Sequence, residues 1–317
     1  RPKPLLRLLR SVQEQSLYPD EILVVDGSTN SETRIVLVEN TFKNLTYFLV
    51  PKEYRGLTRQ RNYGVDKASE TSDMIAFVDD DTELTPNYFE ELVRTFVADK
   101  TIFGVGGVAL NENSWVLAEP NKQYNKYHFF QFDKFVYKEG KRNVVRNYLR
   151  LQSNLEPGKM PDYSHGRTCG FPLDGKIYKV DLLIGMSFAF RKIVFDSIQF
   201  SSYFEGYGLY EDADFSIRAL QFGSNVINTK VQLNHYHDTS GRPNQYQYGK
   251  MVVRNGWYVW RTKNPTPTFT HQFKWHSITI LLTLIRFSNT FTTHKRKQAL
   301  TEALGRTVGW WSLIFNE

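Results

Sequence analysis

Two short runs of β-branched and aromatic residues near the start of the chain each stop at aspartate: ILVV before Asp26-Gly27-Ser28, and MIAFV before Asp79-Asp80-Asp81. Brief apolar runs bounded by turn chemistry read as buried strands, and each lies beside a stretch of helical period. Leu5, Leu8, Leu9 and Val12 share one face of a helix over residues 4–16. TYFLV (46–50) reads as a further strand, GLTRQRNYGVDKAS (56–69) as a helix, and Pro86 to Phe96 as another. The order helix, strand, strand, helix, strand, helix implies an α/β fold, a largely parallel sheet covered by helices. Ligands of such sheets collect beyond the carboxyl ends of the strands, where Asp26 and the triple aspartate stand. Both are therefore expected to face one crevice.

The core continues in TIFGVGGVAL (101–110), a buried strand by composition, whose Gly104, Gly106 and Gly107 permit close backbone approach. GVGG lacks the GxGxxG spacing and does not follow a first strand, so a dinucleotide fingerprint is rejected. Residues 119–165 are polar, aromatic and lysine-rich and predict a helical or irregular excursion; order resumes at KIYKVDLLIGMSFAFRK (176–192). In FEGYGLYEDADFSIRALQFG, Phe215, Ile217, Ala219 and Leu220 fit a helix closed by Gly223. Glu211, Asp212 and Asp214 crowd its first turn, where the helix dipole tolerates carboxylates. The expected organisation is one unit over residues 1–240 with an insertion at about 119–165, then a helical extension over 241–317.

Charge marks the extension. The chain carries +7, yet residues 241–317 hold 11 Lys/Arg against 2 Asp/Glu, a local +9 that leaves the rest near −2. Trp257, Trp260, Trp275, Trp310 and Trp311 share this tail, in segments that read as three helices, the first parted from the second by Pro265 and Pro267. The stripe Ala299, Leu300, Ala303, Leu304, Val308 and Trp311 of the last is expected to pack on the protein itself. A basic, Trp-rich module points to an anionic surface, with Lys274, Arg286 and Lys295-Arg296-Lys297 beside Trp275, Trp310 and Trp311. Its longest nearly apolar run, ITILLTLI, is too short to span a bilayer as a helix. The lone Cys169 excludes a disulfide framework and a thiolate metal cluster and favours an intracellular setting; no signal-peptide pattern is read.

On an extended segment Asp79 and Asp81 project to the same side and Asp80 away. Neighbouring carboxylates repel unless water or a cation offsets them. Magnesium or manganese prefers hard oxygen ligands and shares its shell with phosphates, so two carboxylates can hold a metal–diphosphate complex. At the second cluster, Asp212 can accept a proton from a hydroxyl nucleophile or cap the helix. In NHYHDTSGR (234–242), His235 and His237 share one face if extended, a spacing that suits a single imidazole ligand joining Asp81.

In order, the segments LLRSVQEQSLYPDEILVVDGSTN, GLTRQRNYGVDKAS, MIAFVDDDTELTPNYFEEL, VDLLIGMSFAFRK and FEGYGLYEDADFSIRALQFG resemble family 2 of the glycosyltransferases, of the bacterial polysaccharide type. The resemblance covers most of residues 5–225. It implies a GT-A fold: a Rossmann-like, mainly parallel sheet flanked by helices, here with a helical C-terminal extension. Residues 1–240 would then form the nucleotide-sugar-binding and catalytic domain. Asp26 would sit near the nucleoside base and Arg61 near the donor. Asp79 and Asp81 would be the DxD pair, with Asp80 between them in the donor pocket, Asp79 toward ribose or metal and Asp81 as metal ligand. Asp212 would be general base of an inverting displacement, supported by Glu211; Gly185 and Met186 would line the acceptor side, and His237 would stand beside the metal and diphosphate. Two departures are visible: VVDGS has one aspartate where the family often has two, and the family's usual first strand is expected ahead of Arg1.

The implied reaction moves a sugar from a nucleoside-diphosphate sugar, UDP- or dTDP-linked, to a hydroxyl of a glycan or lipid-linked saccharide, assisted by Mn2+ or Mg2+. Sugar contacts are expected from loops around 160–190 and 203–210. The implied location is cytoplasmic, peripheral on the cytoplasmic face of a membrane. A sugar-1-phosphate nucleotidyltransferase is the rival enzyme, disfavoured by RQRN and EDADFSIR. A nucleic-acid-binding role for the tail is disfavoured because the acidic crevice would repel a polyanion.

Overall fold

The structure, a computed structural model, describes residues 1–204, 206–237 and 243–315; Glu205 of the 203–210 loop and the end of NHYHDTSGR lie outside the described residues. In chain order the elements are α1 (Pro2–Gln13), β1 (Ile22–Asp26), α2 (Glu32–Glu39), β2 (Leu45–Leu49), α3 (Leu57–Lys67), β3 (Met74–Val78) and β4 (Thr82–Leu84). Next come α4 (Tyr88–Ala98), β5 (Ile102–Ala109), β6 (Val116–Leu117), β7 (Phe129–Phe132), β8 (Phe135–Lys138), α5 (Lys141–Tyr148), β9 (Ile177–Val180) and β10 (Ser187–Arg191). The chain ends with α6 (Glu211–Ala219), β11 (Ser224–His235), α7 (Gln245–Lys263), α8 (Phe269–Thr292) and α9 (Arg296–Phe315). These elements form two compact units, Arg1–Asn113 with Leu173–Ser240, and Ser114–Pro172 with Gly241–Glu317.

The first unit is α/β, and its sheet is mixed. β1 and β2 form a parallel pair, Ile22 opposite Leu45. The larger sheet runs β3-β10-β5-β11-β4, with β9 on β11. β5 and β11 are parallel, whereas β10 enters antiparallel between β3 and β5, and β4 and β9 pair antiparallel with β11. Helix α4 seals one face with Tyr88, Leu92 and Phe96, all 2% exposed or less; each such burial contributes roughly 1.5–3 kcal/mol. The Tyr88 hydroxyl is satisfied by Ser187 Oγ at 2.7 Å. At Gly104 a Cβ would meet the Phe190 ring at 2.7 Å, so β5 carries glycine where a neighbouring side chain crosses it. Phe200 stacks on Phe215 with ring centroids 4.2 Å apart, and Phe190 meets Phe215 edge-on.

β11, twelve residues long, has no counterpart in the sequence reading. Asn225, Asn228 and Thr229 are buried in it, which masks the apolar pattern of a strand. Their side-chain donors are bonded: Asn225 Nδ2 donates to Ser216 O (2.8 Å) and Asn228 Nδ2 to Thr95 Oγ1 (2.8 Å).

The second unit joins a small antiparallel sheet, β6-β8-β7, to α5 and the three C-terminal helices. A buried ion pair, Arg167 Nε to Glu139 Oε1 at 2.8 Å, lies within the Ser114–Pro172 segment of this unit. α7 and α9 cross closely at Gly305, where a Cβ would strike the Tyr246 carbonyl. The tail's tryptophans turn mostly inward. Trp260 (0% exposed) and Trp275 (5%) stack beside Trp257, and Trp310 Nε1 donates to His276 Nδ1 at 3.0 Å. Two cations assigned to a surface are engaged: Arg286 pairs with Glu302 at 2.7 Å, and Lys274 lies over the Tyr163 ring. In the α9 stripe Ala299 and Ala303 are fully buried, whereas Leu300, Leu304, Val308 and Trp311 are exposed. Among the described residues no helix is long and apolar enough to cross a membrane.

Candidate active site

Three strand ends supply the first acidic cluster. β3 stops at Val78, and the Asp79 amide donates to Met186 O (3.2 Å), fixing the turn that starts β4. β4 pairs Thr82 with His235 at the end of β11, which brings that imidazole to the aspartates. Its Nε2 lies 3.4 Å from Asp81 Oδ1. Asp79, Asp81 and His235 each offer an atom within 4.8 Å of the others, a carboxylate-rich set with one imidazole that fits manganese, and magnesium less closely. Burial, opposed by Arg61 and aided by the charge on Asp81, pushes Asp79 up to about 6. Asp80 pairs with Arg1, as does Asp81 at 3.4 Å.

His237 is not in this set; with Glu112 and His235 it forms a second group whose ligating atoms lie within 4.8 Å of one another. β11 ends at His235, and the backbone at His237 is left-handed (φ 51°). Its ring, 55% exposed, meets Glu112 at 2.8 Å instead. The HYH spacing fits either histidine; register selects His235, because only that residue still pairs with β4. Glu112, which sequence reasoning did not single out, also accepts from His235 Nδ1 at 2.8 Å. The preceding Asn111 clamps the His235 backbone, donating to its carbonyl at 2.7 Å and accepting from its amide at 2.9 Å. Hydrogen bonds to Asp81 and then Glu112 push His235 up to about 9. The signal for Glu112 was its place just beyond a strand end.

The second acidic cluster opens α6. Asp212 Oδ2 accepts from the Gly185 amide and Oδ1 from the Ala213 amide, both at 2.8 Å. Glu211 is 4% exposed, and its Oε2 has no hydrogen-bond partner among the described residues. Burial pushes it up to about 8 against the pull of Arg61. Asp214, fully buried, pairs with Arg218 at 2.6 Å.

Arg61 links the clusters. Its guanidinium pairs with Glu211, stands 3.6 Å from Asp79 and donates to Gly185 O at 3.2 Å. Phe188, Phe200 and Phe77 surround it, the first 4.8 Å from the guanidinium. Its neighbour Asn62 holds Phe200 through two backbone bonds of 2.9 Å, so RQRN builds the support between the acidic groups. Arg61, at 8% exposure, is thus an internal cation. Met186 is a core residue, 6% exposed, while Gly185 contributes its backbone to both Asp212 and Arg61. Asp26 bonds to none of these. Burial pushes it up, but the Ser28 amide and hydroxyl and the Tyr47 hydroxyl hold it below the ordinary value.

Residues 1–156 match the family model described as glycosyl transferase family 2. A glucosyl-dolichyl phosphate glucuronosyltransferase of Haloferax volcanii is 30% identical over 115 residues, 35% of this chain and 34% of that protein. A putative glycosyltransferase, EpsH, of Bacillus subtilis is 25% identical over 239 residues, 72% of this chain and 55% of that one. The chain thus spans between a third and about half the length of these curated relatives. Among solved structures, the crystal structure of GalNAc-T7 with UDP, GalNAc and Mn2+ has a similar fold, with TM-score 0.50 and 16% identity, over 79% of this chain and 45% of that one. The family 2 match is thus confined to residues 1–156, and the fold is GT-A-like.

Proposed function

We propose that this chain transfers a sugar from a nucleoside-diphosphate sugar, UDP- or dTDP-linked, to a hydroxyl of a glycan or lipid-linked saccharide, with inversion at the anomeric carbon. The observation that carries this reading is the joining of two unlike acidic clusters through Arg61 and Gly185. One is a ligand set, Asp79, Asp81 and His235, for Mn2+ or Mg2+. When bound, that ion supplies positive charge to the departing diphosphate. The other presents Asp212, which takes the proton of the attacking hydroxyl. Its two amide bonds hold the carboxylate in place without neutralising it. Arg61 keeps Glu211 and Asp79 from repelling each other, and Asp26 with Tyr47 offers acceptors and a ring edge to the nucleoside. Gly185, whose backbone touches Asp212, sets the acceptor side.

A lipid-linked acceptor has support in the name of the Haloferax volcanii relative, and in the charge of the C-terminal helices. Between residues 245 and 315 the sole carboxylate is Glu302, which is buried and paired with Arg286 and Arg306. That surface favours peripheral association with an anionic, cytoplasmic membrane face.

The test is a panel of nucleotide sugars screened for Mn2+-dependent binding, followed by transfer to candidate acceptors with the tightest donor. Metal-dependent binding of one donor, lost in Asp81→Ala, is the expected result. Donor binding that ignores the metal in the intact protein would overturn the ligand assignment.

A further inference from the structure

Helix α8 has eight exposed residues: Phe269, Phe273, Ile280, Leu284 and Phe291, with Thr270, Ser288 and Thr292 beside them. None is charged. Phe269 and Phe291 are 81% and 83% exposed. The core does not need this face, because the helix buries Trp275, Ile278 and Thr283 on another. At 100° per residue the five large apolar side chains fall within a wedge of about 60°. Phe269, Ile280 and Phe291 recur every eleven residues, as do Phe273 and Leu284. At 100° per residue each eleven-residue step drifts by only about 20°, so the stripe stays on one side of the helix from Phe269 to Phe291. The stripe therefore suits a flat surface.

Charge identifies that surface. Phe291 is followed closely by exposed His294, Lys295, Arg296 and Lys297. Among the described residues α7, α8 and α9 expose no carboxylate, since Glu302 is buried. A second copy of the chain would bring the same positive charge against it; an anionic bilayer brings the opposite charge. We infer that the exposed face of α8 is a membrane-docking face, its apolar stripe entering the headgroup layer of an anionic bilayer while Lys295, Arg296 and Lys297 at the start of α9 contact lipid phosphates. This inference rests on the membrane association proposed above and names the surface responsible. The aromatic cluster of Trp257, Trp260 and Trp275 is packed inside and takes no part.

The experiment is co-sedimentation of the full chain with phosphatidylcholine vesicles, with and without about a quarter phosphatidylglycerol. The intact protein is expected on the anionic vesicles and not on the neutral ones. Phe273→Ser/Leu284→Ser should lower the partition about tenfold or more. Lys295→Gln/Arg296→Gln/Lys297→Gln should lower it and remove its salt dependence. Far-UV circular dichroism and Mn2+ affinity should match the intact protein in both variants. Anionic binding undiminished in Phe273→Ser/Leu284→Ser would overturn the docking face while leaving membrane association standing. Absence of binding by the intact protein would overturn both. A dimer by light scattering that the serine pair dissociates would assign the stripe to a second copy and so overturn the inference.

Discussion

The two acidic clusters are made of the same residue types and have opposite surroundings. Asp79, Asp81 and His235 crowd three ligating atoms together at strand ends, and the cations beside Asp80 and Asp81 come from Arg1. Glu211, Asp212 and Asp214 begin a helix, and each meets its own partner: Arg61, the Gly185 amide and Arg218. Convergence of ligating atoms on one point favours a cation. One-to-one pairing favours fixed geometry, with Asp212 alone left held by amides rather than by a counter-charge. The clusters should accordingly fail in different ways.

Removing a ligand should do the most damage. Asp81→Ala is expected to abolish Mn2+ binding and lower transfer by about a thousandfold or more, read by metal titration and turnover. Asp212→Asn should lower transfer roughly 10²–10⁴-fold while donor and metal bind as before; weakened metal binding in this variant would erase the contrast. Arg61→Met is expected to cost about 3–5 kcal/mol of stability by stranding a buried carboxylate. The sign with pH is set by Glu211. Its value in the folded chain, about 8, exceeds the ordinary 4.5, so its contribution is fully present below the ordinary value and is lost as pH rises through 8. Without Arg61 the value climbs further, so the gap in denaturation midpoint between variant and parent should stay level from about pH 5 to about pH 8 and widen as pH rises above 8.

Smaller effects sharpen the first cluster. Glu112→Gln keeps an acceptor for His235 Nδ1–H but loses the charge, and should weaken Mn2+ binding about tenfold to a hundredfold by titration. His237→Ala should change Mn2+ affinity by less than about threefold, whereas His235→Ala should approach the Asp81 variant. Equal effects at the two histidines would remove the distinction drawn from β11.

That distinction also marks the limit of what the chain makes legible. The aspartates were readable because apolar runs stopping at carboxylates reveal strand ends without any tertiary information. Asp212 was readable as a helix-start carboxylate. His235 over His237 was not, since the choice depends on where β11 stops pairing with β4, and β11 hides behind buried Asn225 and Asn228. Glu112 reaches the site only through the register of β5 against β11, where the Leu110 amide donates to Leu233 O at 2.8 Å. Arg61 was expected near the donor from the resemblance alone; its aromatic enclosure comes from Phe77, Phe188 and Phe200, which lie far apart in the chain. In the tail, tryptophan content misidentified the outward face, because large aromatics serve cores as readily as surfaces.

All six tryptophans, Trp115 included, belong to the second compact unit. Indole emission therefore reports on that unit alone, and the unit bearing the acidic clusters is silent at those wavelengths. An unfolding curve followed by tryptophan fluorescence will describe the insert and C-terminal helices, while far-UV circular dichroism sums both units. Any offset between the two curves reads out, without a label, whether the unit bearing the acidic clusters and the helical unit melt as one.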